Sequence, residues 1–357
     1  MGKNIALITP FDIDKNWGSE VFSRYLKSAL ENEGYSVDVY DETLLKVRSK
    51  SEIKICFQVA RKLNHNREKY SLVIANGIIG AFVRFPTVLN IYHGNYAGYF
   101  KAMGWKRGLK GFLWHSLYTF LESQTRKSKI KIAVSESTKT DLETAYWFPD
   151  IKVINNFVDT KRFSPAWEKN LLRSKYGLNQ KSFYALYTGR WEYGKGIDLL
   201  KEIFSLSQDT DIQFLIATNA ISEEEKEVLK AFTKVKIIEN TPYQSMQEIY
   251  QISDVLVFPS LFEGCSFSIM EALSCGLPVI SSEVWNAWDI QKISPPLWKY
   301  ILSSKSAKVW MDGIKEIKDT PSLQQKLSQL ARVFAQENYA QEKSLEWYLQ
   351  IIKPLVW

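Results

Sequence analysis

The chain has 357 residues, 45% of them hydrophobic, which is enough for a sizeable core and favours two domains over one. Its formal net charge of +7 is uneven, with 25 Lys and Arg against 16 Asp and Glu in residues 1–165. No run of ~18 apolar residues occurs, which excludes a membrane-spanning helix, and the N-terminal MGKNIALITP lacks a signal peptide's long apolar region.

In the first half, strand-like runs are Ile5–Thr9, Val37–Tyr40, Leu72–Ala75, Val88–Tyr92, Ile132–Val134 and Val153–Asn155. In the second half they are Tyr184–Thr188, Ile212–Ile216, Val235–Ile238, Val255–Phe258 and Pro278–Ser281. Short β-rich runs separated by helical patterns predict parallel sheets built from βαβ units. The series restarts after Phe163-Ser164-Pro165, which sets the predicted domains at 1–165 and 166–335. A last helical pattern from Gln336 to Ile352 offers Trp347, Tyr348, Ile351 and Ile352 as a packing stripe, and its segment 336–357 is free to return to the first domain. The predicted class is α/β: two Rossmann-like doubly wound domains facing across a cleft, with the ligand at the carboxyl ends of the strands.

Two segments carry chemistry. YTGRWEYGKG (Tyr187–Gly196) follows the first strand of the second domain and opens a helix. Gly189 and Gly196 permit tight turns, and Arg190 and Lys195 offer a planar fork and a point charge to phosphate oxygens. By itself such a loop is often only a surface turn. DVLVFPSLFEGCSFSIMEALSCGLPVI (Asp254–Ile280) reads as a buried strand, a loop carrying Glu263, and a helix carrying Glu271. The amides of Gly264, Cys265, Ser266, Phe267 and Ser268 fall at that helix's positive end, where an anion is stabilised. Phosphate and hydroxyl recognition in one segment suits a nucleotide sugar.

Arg190-x4-Lys195-Gly196 followed by Glu263-x7-Glu271 resembles the retaining glycosyltransferases of family 4, which have the GT-B fold. VINNFVDTKRFSP (Val153–Pro165) resembles the family's domain-joining segment, and IAVSESTKTDL (Ile132–Leu142) the end of its first domain. The resemblance implies that Arg190 and Lys195 bind the diphosphate of the sugar nucleotide. It gives Glu263 to the transferred sugar's hydroxyls and Glu271 to the ribose. Gly18, with Ser19, approaches the diphosphate, and His93 lines the sugar end. It implies transfer with retention, without metal or cofactor, to a glycan or lipid-linked acceptor in cell-surface polysaccharide or lipopolysaccharide synthesis. Departures occur at Gly18-Ser19, where two glycines are usual, at Ala217-Thr218-Asn219, and at EVWNAWD after Ser281-Ser282. They keep open a catalytically silent relative that binds nucleotide sugars or partners.

Tyr96–Lys131 interleaves aromatic and basic residues, among them Tyr99, Phe100, Lys101, Trp105, Lys106, Arg107, Lys110, Phe112, Trp114, Tyr118, Phe120, Arg126, Lys127, Lys129 and Lys131. This suits either peripheral contact with an anionic membrane surface or a helix packed on the sheet. Cys56, Cys265 and Cys275 have no disulfide or metal spacing and suit a reducing cytoplasm. Asp209-Thr210-Asp211 precedes a strand, the wrong end for the site, and is expected to be a solvated turn. No nucleic-acid module is present, and no Gly-x-Gly-x-x-Gly opens the first βα turn as a dinucleotide enzyme requires.

Overall fold

The central strands of this chain are short, mainly apolar runs buried on both faces, as parallel sheets covered by helices demand. The computed structural model describes residues 4–15, 18–45, 51–103, 108–284 and 294–356. It divides into two compact units, Met1–Asn156 with Glu342–Trp357, and Phe157–Gln341.

In the first unit, β1 (Asn4–Ile8), β2 (Ser36–Tyr40), β3 (Leu72–Asn76), β4 (Val88–Tyr92), β5 (Ile130–Ala133) and β6 (Ile151–Val153) form a parallel sheet in the order β2-β1-β3-β4-β5-β6. β3 and β4 are buried at every position. Helix α1 (Gly18–Asn32) covers the sheet with Phe22, Leu26 and Leu30, one residue per turn. Helix α2 (Glu52–His65) packs Ile55, Val59 and Leu63 against Ile8, Val73 and Ala75. Then come α3 (Tyr96–Met103), α4 (Gly108–Ser123) and α5 (Glu136–Tyr146).

The predicted last helix splits. Pro321–Asn338 and Gln341–Ile352 are separate helices, because Tyr339 and Ala340 leave the helix to bond Val158. Tyr348 and Ile352 are fully buried and Tyr348 meets Phe22 at 5.2 Å, but Trp347 stands 56% exposed. Consecutive helical residues point ~100° apart, so Trp347 and Tyr348 cannot share one stripe.

In the second unit, β7 (Phe183–Thr188), β8 (Ile212–Thr218), β9 (Val235–Glu239), β10 (Val255–Phe258), β11 (Val279–Ser282) and β12 (Ile301–Leu302) run parallel in the order β12-β11-β10-β7-β8-β9. Helix α6 (Lys169–Lys175) ties to the amino end of β10 through Asp254, which accepts from Lys169 at 2.6 Å, Arg173 at 2.5 Å and the Tyr184 amide at 2.7 Å. Phe157 and Phe163 are fully buried, and the Phe163 carbonyl accepts from Ser274 and Arg332 at 2.6 and 2.8 Å. These contacts hold the segment before Pro165 within the second unit. Asp211 is 77% exposed at the side chain and pairs with Lys318 at 2.8 Å, as a solvated turn should. Among the described residues no helix is long and apolar enough to cross a membrane. Of the departures noted in the sequence, most of EVWNAWD lies outside the described residues.

Candidate functional site

The two motif loops of the second unit leave the carboxyl ends of β7 and β10, which are hydrogen-bonded neighbours in the sheet. Gly189 has φ +145°, and Gly196, at φ +75°, opens α7 (Ile197–Ser207). A Cβ on Gly196 would stand 2.0 Å from the Pro259 carbonyl, so the first loop packs backbone to backbone against the second. The Leu261 amide donates to the Gly194 carbonyl at 2.9 Å across the same seam.

This seam brings Lys195 onto Glu263. Nζ lies 2.6 Å from Oε1, with the side chains only 18% and 12% exposed, and the Ser260 hydroxyl donates to the same oxygen at 2.7 Å. Arg190 is not part of that pair. Its guanidinium lies 3.0 Å from Glu192 with its side chain 62% exposed. Lys195 therefore stands preset beside the Glu263 carboxylate, while the Arg190 guanidinium is held by a weak surface pair.

After α8 (Glu223–Leu229) and α9 (Met246–Ile252), helix α10 (Phe267–Ser274) begins at Ser266, whose hydroxyl accepts from the Ile269 amide. Gly264, Cys265 and Ser266 are buried, and Phe267 and Ser268 are half-buried. Glu271 sits on the buried face of α10 at 3% exposure. Its Oε1 accepts from the Tyr243 hydroxyl at 2.8 Å and its Oε2 from the Tyr250 hydroxyl at 2.7 Å. Burial pushes the Glu271 carboxyl up to about 7, against the lowering effect of the two phenols and the Arg162 charge. Arg162 lies 4.4 Å over the Tyr243 ring and 4.8 Å over that of Phe163. Tyr243 and Tyr250 carry no motif, and Arg162, though inside the Val153–Pro165 segment, was given no role there; three-dimensional proximity joins the three to Glu271. Thr218, ending β8, and Thr241, just past β9, keep buried hydroxyls without a partner among the described residues.

In the first unit, Gly18 and Ser19 open α1, and the Ser19 hydroxyl donates to Glu20 at 2.8 Å. His93 follows β4 and packs edge-on against Phe22 at 4.7 Å. Burial lowers its pKa to about 4, so the ring is neutral near pH 7 even with Asn156 favouring the charged form. Among the described residues neither ring nitrogen finds a hydrogen-bond partner of standard geometry.

The aromatic and basic stretch is divided between core and surface. Tyr96, Tyr118 and Leu121 pack on the core, whereas Leu113, Leu117 and Phe120, at helical spacing, are 60%, 41% and 61% exposed, with Trp114 beside them at 42%. Lys101, Arg126, Lys127 and Lys129 are exposed. Lys131 is not a surface cation: it is 5% exposed inside β5 and donates to the Ser128 carbonyl. Trp105, Lys106 and Arg107 lie outside the described residues, as does the side chain of Lys110. Glu122, 1% exposed, fastens α4: its Oε2 accepts from the Tyr96 amide that opens α3 at 2.8 Å and from the Tyr146 hydroxyl of α5 at 2.6 Å.

Residues 168–334 match the family described as Glycosyl transferases group 1. The UDP-Gal:alpha-D-GlcNAc-diphosphoundecaprenol alpha-1,3-galactosyltransferase of Escherichia coli is 28% identical over 235 residues, covering 61% of this chain and 59% of that protein. The lipopolysaccharide core biosynthesis mannosyltransferase LpsB of Rhizobium meliloti is 28% identical over 141 residues, covering 37% and 40%. The chain thus spans about half the length of the curated relatives it matches. Among solved structures, sucrose-phosphate synthase from Thermosynechococcus elongatus is similar with a TM-score of 0.84 at 18% identity, over 99% of this chain and 98% of that one. The chain has the GT-B fold, and its residues 168–334 match the model of the glycosyl transferases of group 1.

Proposed function

We propose that the chain is a retaining glycosyltransferase that moves a sugar from a nucleotide-diphosphate sugar to a glycan or lipid-linked acceptor in cell-surface polysaccharide or lipopolysaccharide biosynthesis. A UDP-sugar is favoured and a GDP-sugar is the second choice. The observation that carries this reading is the Lys195–Glu263 pair, which sets a cation for a departing diphosphate beside a carboxylate for sugar hydroxyls. The names of the relatives support the substrate class, with UDP-Gal and a polyprenol-linked acceptor in one and the lipopolysaccharide core in the other.

In this mechanism Glu271 receives the ribose hydroxyls through the lone pairs the tyrosines leave over. Lys195, Arg190 and the amides of Gly264–Ser268 balance the diphosphate as it leaves, so no metal ion is required. The acceptor oxygen attacks the anomeric carbon on the face the diphosphate departs. The new C–O bond forms as the bond to phosphate breaks, and a phosphate oxygen takes the acceptor's proton. Glu263, held by Lys195 and Ser260, serves the sugar hydroxyls rather than acting as a covalent nucleophile. In the first unit, Gly18, Ser19 and His93 keep the roles the family resemblance gives them. The outward apolar stripe of α4, with cations Lys101, Arg126, Lys127 and Lys129, is assigned to peripheral contact with the anionic inner face of a membrane.

A silent relative is the second reading, and one observation favours it: Lys195 and Glu271 already have partners within the protein. Thermal stabilisation by UDP, GDP, ADP, dTDP and CMP, then donor hydrolysis with EDTA present, separates the two. A ligand at ~100 times its dissociation constant should add about 2.7 kcal/mol. Stabilisation by one diphosphate and slow hydrolysis of its sugar support the enzyme. Binding without any turnover supports the silent relative. An inverted product would overturn the mechanism.

A further inference from the structure

Arg190 is the loosest of the groups assigned to the diphosphate. Its side chain is 62% exposed and pairs with Glu192 at the surface. The loop that carries it has glycines at 189, 194 and 196, so its backbone has unusual freedom to lose. Where the guanidinium can reach is then set by what fixes the Arg190 peptide.

Three contacts fix it. The Tyr187 hydroxyl, near the end of β7 on a side chain 1% exposed, donates to the Arg190 carbonyl at 2.7 Å. The Gly189 amide, just before Arg190, donates to the Ala217 carbonyl of the neighbouring strand β8 at 3.2 Å. Trp191, just after it, donates its indole Nε1–H to Glu225 Oε2 at 2.9 Å and sets its ring edge-on to Tyr187 at 5.7 Å. Glu225 belongs to α8, which follows β8, and Lys201 of α7 pairs with it at 2.7 Å. The Lys201 bond, then that of Trp191, holds the Glu225 carboxyl below the usual carboxylate range, so it stays an ionised acceptor near pH 7. The Arg190 peptide thus lies between two aromatic residues, each bonded at its polar tip.

Packing alone would account for an aromatic ring resting on Tyr187, and a phenylalanine would serve it equally. It does not account for a carboxylate of the next βα unit spent on the indole, nor for a phenol spent on the carbonyl between the two rings. An indole has one donor and no acceptor, so Trp191 meets Glu225 and Tyr187 together in one ring placement. We infer that Trp191, braced by Glu225 and Tyr187, is the positioning residue that aims Arg190 at the departing diphosphate. The inference rests on the proposed transferase activity and adds to it the device that orders its most exposed ligand. A guanidinium displaced by an ångström or so loses much of its effect on a charge that develops in the transition state.

The test is a double-mutant cycle on the full chain, read as kcat and KM for hydrolysis of UDP-glucose, UDP-galactose and GDP-mannose. Trp191→Phe keeps the ring against Tyr187 and loses the bond to Glu225. It should lower kcat about ten-fold with KM within two-fold or so. In an Arg190→Ala background the same change should leave kcat within two-fold or so, because the brace then has nothing to aim. In a Lys195→Ala background it should again cost about ten-fold. Glu225→Ala should repeat the Trp191→Phe loss, and Glu225→Gln, which keeps a carbonyl for the indole, should restore most of kcat. Melting curves of Trp191→Phe should shift equally with and without Arg190, so loosened folding cannot mimic a kcat effect that depends on Arg190. An equal kcat loss in the presence and absence of Arg190 would overturn the inference, giving Trp191 a general structural role. So would a Trp191→Phe enzyme with the wild-type kcat, which would make the bond to Glu225 a surface contact. A wild-type chain that hydrolyses none of the three sugars and binds neither UDP nor GDP by calorimetry would instead remove the transferase reading on which the inference stands.

Discussion

The two sheets end in opposite electrostatic conditions. In the second unit, the charged groups at the carboxyl edge are matched to one another: Lys195 to Glu263, and Glu271 to Tyr243 and Tyr250. In the first unit, the buried carboxylate of Glu20 takes the Ser19 hydroxyl at 2.8 Å, and burial raises its pKa. An unmatched buried charge costs far more than an unmatched hydroxyl or amide. A site built for a diphosphate must therefore hold its cation with an internal carboxylate until the anion arrives.

The strongest way to break this comparison is Lys195→Ala. It leaves Glu263 mostly buried beside Ser260, so stability should fall by about 3 kcal/mol as well as turnover by ~10²–10³-fold. Urea unfolding and a donor-hydrolysis assay read the two effects separately. Lys195→Ala combined with Glu263→Ala should regain much of the stability and none of the rate. A single variant of unchanged stability would show that the pair is not buried in solution. Arg190→Ala isolates the catalytic half of the same argument. Its pair with Glu192 is exposed and contributes about 0–1 kcal/mol, so the melting curve should hardly move while turnover falls by a similar ~10²–10³-fold. Turnover within a few-fold of wild type would remove Arg190 from the diphosphate site.

What the sequence disclosed follows the same division between local and distant causes. The central strands were legible because strands buried on both faces are apolar runs bounded by turns, whereas the edge strand β6, read at Val153–Asn155, lies at Ile151–Val153 and shares only Val153 with that reading. β12, two residues long, carries too little pattern to be seen. The loop placement of Glu263 and the helical placement of Glu271 were also legible, since each depends on its own segment. The tyrosines around Glu271 were not, because Tyr250 lies on another helix and Tyr243 before it, and no spacing rule links them. Lys195 was read as a phosphate ligand alone. Its carboxylate partner appeared only when β7 and β10 became neighbours.

A smaller effect sharpens the comparison through two buried carboxylates that share a chemistry but not a role. Glu122 fastens α3, α4 and α5 in the first unit, and burial pushes it up to about 7, as it does Glu271. A carboxyl whose folded pKa is raised contributes stability below its unfolded value of ~4.5, and that contribution is lost as pH rises through ~7. Both bonds to Glu122 reach the single oxygen Oε2, so a glutamine can keep them with its carbonyl. Glu122→Gln should therefore be stabilising by about 1–3 kcal/mol at pH 8 and nearly neutral at pH 5. Urea midpoints at the two pH values check this. An equal loss at both would mean that the carboxylate form is what holds the three helices.

Glu271 differs in that its two oxygens each take a phenol, which leaves one lone pair apiece for the ribose that the proposed function assigns to it. Full use of both requires the ionised form. Nucleotide-sugar affinity should then rise about ten-fold from pH 6 to pH 8, as the carboxyl titrates around 7. A nucleotide sugar is the right probe because its diphosphate, esterified at both ends, lacks the terminal phosphate step near pH 6 that free UDP carries. Glu271→Gln should bind more weakly at pH 8 and show a flat profile. A wild-type profile that is equally flat would mean that the tyrosines hold Glu271 for packing alone. The ribose would then be read elsewhere on this edge, with the unpartnered hydroxyls of Thr218 and Thr241 the first groups to replace.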